Sequence, residues 1–159
     1  MRTAIRAVLV AAAVLVVAGC AAGDDVFGEP GAGYVTGAAE RTATADWAKA
    51  ETVTVELSEF AFSPSTLTFR AGATYRLVIE NTGDRAHFFV SDGFFKAIAA
   101  QVLRSAEGEV AGPYLEKIAV APGKSKELLF VAVTPGRYAL VCTVFLHETF
   151  GMSGEVRIL

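Results

Sequence analysis

Soft metal-binding side chains are scarce in this chain: its 159 residues hold two cysteines, two histidines and two methionines. So few cysteines exclude a disulfide framework. Basic clusters are missing as well. With 14 Lys+Arg against 17 Asp+Glu and a formal net charge of −3, a nucleic-acid partner is not expected. Internal repeats and low-complexity tracts are absent from the main body of the chain. The longest apolar run, Ala7 to Val17, is too short for comfortable passage across a bilayer, which takes about 20 residues. The length is that of about one domain.

The same run reads as a signal. Arg2 and Arg6 give a basic start, Ala7–Val17 an apolar middle, and Val17-Ala18-Gly19 leads straight into Cys20. Small residues before a cysteine match a bacterial lipobox: residues 1–19 are expected to be a signal peptide cut before Cys20, whose thiol then takes a lipid, the plainer alternative being an ordinary secretory signal cut after a small residue. There is no Arg-Arg pair, so the general export route is expected rather than the twin-Arg route. Several acyl chains together hold a protein stably on a membrane. The expected location is therefore the cell envelope, lipid-anchored to a bacterial membrane, with the domain facing the periplasm or cell exterior. Residues 20–49, rich in Gly, Ala and Thr without a sustained apolar period, read as the lipidated N-terminus and a flexible tether. With Cys20 lipidated, Cys142 is a lone thiol in an oxidising compartment, and it must be either buried or occupied.

From residue 50 the apolar period becomes two. Val53, Val55 and Leu57 alternate with polar residues, as do Leu67 and Phe69, then Tyr75, Leu77 and Ile79. Further short strands begin at His87 and Ile118, run through Leu128–Val133 and Tyr138–Cys142, and end with Val156 and Ile158. Gly, Pro and Asn turns separate them. This pattern predicts an all-β, antiparallel Greek-key sandwich over 50–159. One stretch differs. Phe94, Phe95, Ile98, Val102 and Leu103 recur at helical spacing after Asp92, which predicts a helix inserted at 93–104 with Asp92 as its cap. Residues 105–117 read as a loop.

Once the signal is removed and Cys20 is set aside for the lipid, the imidazoles and soft sulfurs left are His87, Cys142, His147 and Met152. Three fall within eleven residues, and His87 opens a strand far upstream. Taken singly, each has a plain explanation: a surface histidine, a buried small thiol, a core methionine. Together they are the ligand set of a blue copper site, a thiolate and two imidazoles with a weak thioether. Soft sulfur favours Cu(I) and imidazole accepts both states, so one copper ion cycling between Cu(I) and Cu(II) is the expected cofactor. Zinc tolerates the same donors but binds such sites less strongly than copper.

With these residues in view, roughly 51–159 resembles the cupredoxin family. The Cys142-x4-His147-x4-Met152 spacing is similar to that of rusticyanin and auracyanin. Asn81-x5-His87 resembles the family segment whose Asn braces the ligand loop, Thr143 after the cysteine is common there, and Gly151-Met152-x-Gly154-x-Val156 is similar to the family ending. The resemblance implies His87, Cys142 and His147 as equatorial ligands and Met152 as the axial one, with Asn81, Phe88 and Thr143 around them. Two positions depart from the pattern. Phe145-Leu146 stands where many relatives have Pro-Gly, and Phe88 where many have a polar residue, so a changed loop and an altered potential are expected.

The expected function is a membrane-anchored one-electron carrier. In this reading the edge of His147 faces solvent inside an apolar rim of Phe145, Leu146 and Phe150, a docking surface for a transient redox partner. The alternative is copper handling, delivery or resistance without electron shuttling, with a copper-handling protein as the partner. An enzyme is not expected. Both histidines are used, none is left for a second kind of copper site, and no Ser-His-Asp set can be built without dismantling the first. A metal-free interaction scaffold would have no need of the full donor set. A monomer is expected.

Overall fold

The computed structural model describes residues 25–159; the expected signal peptide and lipidation site at Cys20 lie outside the described residues. In chain order the strands are β1 (Val26–Phe27), β2 (Glu51–Ser58), β3 (Ala61–Ser63), β4 (Thr66–Phe69), β5 (Thr74–Asn81), β6 (His87–Phe89), β7 (Ile98–Ser105), β8 (Gly108–Ala111), β9 (Leu115–Val120), β10 (Ser125–Ala132), β11 (Gly136–Val141) and β12 (Ser153–Ile158). Two short helices, α1 (Ala38–Ala43) and α2 (Asp92–Lys96), and a 3-10 turn at Trp47–Lys49 complete the set.

One layer of the sandwich is a six-stranded sheet in the order β3-β2-β5-β10-β7-β8. The other is assembled from β4-β12-β11 and β6-β9-β1, joined where Val90 and Val141 exchange backbone hydrogen bonds at 3.1 and 3.0 Å. Most pairings are antiparallel, but β2 runs parallel to β5, and β4 to β12. The alternation read from the sequence marks the inner face: Val55, Leu57, Leu67, Phe69, Tyr75, Leu77 and Ile79 are all buried. Each such side chain contributes about 1.5–3 kcal/mol of transfer free energy. Aromatic rings fill the middle. Phe69 stacks on Phe94 with centroids 5.6 Å apart, and Phe94 meets the edge of Phe130 at 5.4 Å.

The predicted helix at 93–104 is shorter than its spacing suggests. Only Asp92–Lys96 is helical, and it drives Phe94 and Phe95 into the core. Asp92 lies in the first turn, where it pairs with Lys96 at 2.8 Å. Ser91 is the cap residue, and its hydroxyl donates instead to the Ala139 carbonyl at 2.7 Å. From Ile98 the chain is strand. Val102 pairs with Leu129 but Ala100 with Phe130, so Gln101 is an extra residue in the ladder. This bulge shifts the phase of the two-residue period and imitates helical spacing. The expected loop at 105–117 instead holds β8, an edge strand exposed throughout, and the start of β9. With no buried face, β8 leaves no apolar alternation to read.

The tether expectation is corrected for residues 25–49, which lie on the sandwich. Asp25 accepts the Ala119 amide at 2.9 Å and pairs with Lys126 at 2.6 Å in a nearly buried contact. β1 pairs with β9. Tyr34 is buried and its hydroxyl donates to the Leu115 carbonyl at 2.8 Å. α1 packs across β7 and β10 on the outer face of the large sheet. That cover explains the continuous apolar run of β10, where both faces from Leu128 to Ala132 are buried.

Candidate metal centre

Strand ends place the four residues. His87 opens β6, Cys142 directly follows β11, and Met152 directly precedes β12. Because Val141 pairs with Ser153, the two sulfur-bearing residues are neighbours, and the Cys142 amide donates to the Met152 carbonyl at 3.2 Å. Between them the chain is a run of turns. The amides of His147, Phe150, Gly151 and Met152 donate to the carbonyls of Val144, Leu146, Glu148 and His147, all at 2.9–3.0 Å. Two positions take the left-handed backbone, Gly151 at φ 99° and Leu146 at φ 65°. Gly154 serves a different purpose: any side chain there would strike the Ser65 carbonyl where β12 meets β4.

The donors converge. His87 Nδ1 and His147 Nδ1 are 3.2 Å apart, and Cys142 Sγ lies 3.9 and 3.6 Å from them. His87, Cys142 and Met152 have no solvent exposure and His147 has 3%. Bonds of about 2.0 Å to nitrogen and about 2.3 Å to sulfur span such separations. Three inward-facing donor atoms in a dry space fit one metal ion, and Met152 is buried beside them. Burial holds the His87 imidazole below its ordinary pKa, with Glu59 opposing the shift and His147 adding to it. Burial thus favours the neutral imidazole, the form that can ligate.

The surroundings are specific. The Phe88 amide donates to Cys142 Sγ at 3.4 Å, a hydrogen bond to sulfur supplied by backbone, while its ring faces the Lys117 ammonium at 4.1 Å. Asn81 donates through Nδ2 to the carbonyls of Arg85 and Val120 at 2.7 and 2.8 Å, and its Oδ1 accepts the Gly83 amide at 2.9 Å. It thus ties the loop before His87 to Val120, the residue paired with His87 across the sheet. Thr143 is exposed, and its side chain makes no hydrogen bond among the described residues.

One expectation is overturned. The edge of His147 does not face solvent, because Phe60 covers it, edge to face, with centroids 5.0 Å apart. Phe60 also touches Phe150 at 5.0 Å. Phe145 is 85%, Leu146 45% and Phe150 60% exposed, so the apolar rim exists around a covered histidine. Glu59 and Phe60 were not legible as site residues. They form a turn between β2 and β3, and nothing in their local sequence marks them.

A two-layer sandwich that gathers two imidazoles and a thiol, with a buried methionine bonded through its backbone to two of them, defines a small copper protein. The chain belongs to the cupredoxin family: the model of the cupredoxin-like domain matches residues 32–156. A curated relative, the copper-resistant cuproprotein CopI of Rubrivivax gelatinosus, is 34% identical over 115 residues, covering 70% of this chain and 68% of that protein. Among solved structures, the McoA multicopper oxidase of Aquifex aeolicus superposes with a TM-score of 0.58 at 17% identity, over 71% of this chain and 30% of the oxidase. The copper-containing nitrite reductase of Thermus scotoductus gives 0.53 at 18%, over 68% and 30%. The chain spans less than a third of either enzyme, and these likenesses concern the fold. Family and donor set together make the cofactor copper.

Proposed function

We propose that this protein is a type 1 copper protein that carries single electrons at a bacterial cell envelope. The observation that carries the reading is the enclosed donor set, fixed at 3.2–3.9 Å by strand ends and amide hydrogen bonds. Donors already held in place need little rearrangement between two charge states of an ion, which suits one-electron exchange. Copper, when bound, supplies that one-electron couple. His87, Cys142, His147 and Met152 would hold the ion. Phe88 stabilises negative charge on Sγ through its amide, and Asn81 keeps the His87 loop in register. Both histidines of the chain are taken up by this centre, so the reading includes no catalytic role. The signal pattern around Val17–Cys20 supports export and lipidation at Cys20. The exposed Phe145, Leu146 and Phe150 support brief docking of a monomer to a partner protein.

Copper handling is the second reading. It draws on the name of the CopI relative and on the cover over His147, which lengthens the path for an electron leaving through that ring. A visible absorption spectrum separates the two. The whole chain, with Cys20→Ser to prevent lipidation, is titrated with Cu(II) beside a Cys142→Ser control. The expected result is an intense thiolate-to-copper band that bleaches on reduction, returns on reoxidation and is missing in the control. A colourless protein that holds Cu(I) tightly would favour handling. A protein that binds copper in neither state would overturn both readings.

A further inference from the structure

Glu59 and Phe60 are consecutive and each touches one of the two imidazoles. Phe60 covers His147, while Glu59 Oε1 lies 3.3 Å from His87 Nε2. We propose that Glu59 is a positioning residue of the copper centre: its carboxylate receives the Nε2–H edge of His87, holds the ring with Nδ1 toward Cys142, and favours the more highly charged state of the ion. The proposal rests on the copper reading above.

Three observations carry it. First, His87 is fully buried, and with Nδ1 committed to the donor set its Nε2 has no hydrogen bond of full geometry. A buried polar N–H is costly unless partnered, and the Glu59 carboxylate is the acceptor within reach. Second, that carboxylate is itself held. Oε1 accepts the Arg85 amide at 2.9 Å and Oε2 the Asp84 amide at 3.4 Å. Those amides belong to the loop that leads into His87, so one carboxylate registers both loop and ring. Third, room is kept for it at Gly83, where a Cβ would stand 2.8 Å from Glu59 Oε1. A ligating histidine commonly donates its other ring nitrogen to a carboxylate, which fixes tautomer and orientation. A negative charge beside the ion stabilises the oxidised form more than the reduced form, and so lowers the reduction potential.

The test uses the whole chain and two substitutions. Glu59→Gln keeps an acceptor and removes the charge; Glu59→Ala removes both. Imidazole nitrogen NMR of the metal-free protein reads the His87 tautomer, competition with a Cu(I) chelator reads affinity, and a redox titration reads the potential. The wild type is expected to hold His87 as the Nε2–H tautomer. Glu59→Ala should mix the tautomers and weaken copper binding roughly 10–100-fold. Glu59→Gln should keep the tautomer and raise the potential. Lower stability in both variants with tautomer, affinity and potential unmoved would mean a merely structural tie, and would overturn the proposal. If the wild type takes up no copper, the copper reading falls by itself, and the tautomer comparison still decides whether Glu59 positions His87.

Discussion

Leu146 holds φ at 65°, a conformation that costs a side-chain-bearing residue roughly 1–2 kcal/mol. It stands at the position where the family pattern offers glycine. Its side chain is 45% exposed, so removing it forfeits little burial. Leu146→Gly is expected to match or exceed the wild type in thermal unfolding of the metal-free protein, and Leu146→Val, being β-branched, to unfold earlier. A lower midpoint for the glycine variant than for the valine one would refute this. The donors were legible at the scale of single residues because they are rare. Glu59 was not, because it is one of 17 acidic residues and reaches His87 from another strand pair. Phe88 was picked out by its place in the chain, yet it acts through its amide, which no side-chain pattern reveals.

Elements were legible where one face is buried and the other wet. β5 alternates without a break, so its period of two is plain in the sequence. β7 is packed on both faces and carries the bulge at Gln101, so its apolar spacing imitates a helix after a true helical turn. β1 and α1 were invisible because their anchoring comes from a few contacts, not from an apolar stripe. One such contact gives a pH test. Burial, with Glu116 and Asp92 nearby, raises the Tyr34 pKa above its ordinary 10.0. The native state therefore binds this proton more tightly than the unfolded chain does. Its stabilising contribution is full below about pH 10 and is lost as pH rises through the native value. Hydrogen exchange around β1 and Tyr34 should accelerate above pH 10 ahead of the core strands, and Tyr34→Phe should remove the step.

For the whole molecule, the sandwich followed from period, and three of the four residues singled out by composition, His87, Cys142 and His147, converge in it, whereas the domain boundary at 50 did not follow. The family match beginning at residue 32 agrees with a fold that extends N-terminally. A chain starting at residue 50 should unfold at a lower temperature than one starting at residue 21, because it exposes the outer face of β7 and β10. Equal midpoints in calorimetry would show that residues 25–49 add nothing.

The fixed Asp25 has one further consequence for a chain lipidated at Cys20. Five peptide steps separate the two residues, a reach of no more than about 18 Å at full stretch. Asp25 sits beside Ala119, at the end of β9 whose Val120 pairs with His87. A chain so lipidated would be moored closely, near the end of β9 that pairs with His87. Any search for a partner would then be lateral, confined to a thin layer above the bilayer, and a partner whose reactive surface stood far above that layer would stay out of reach.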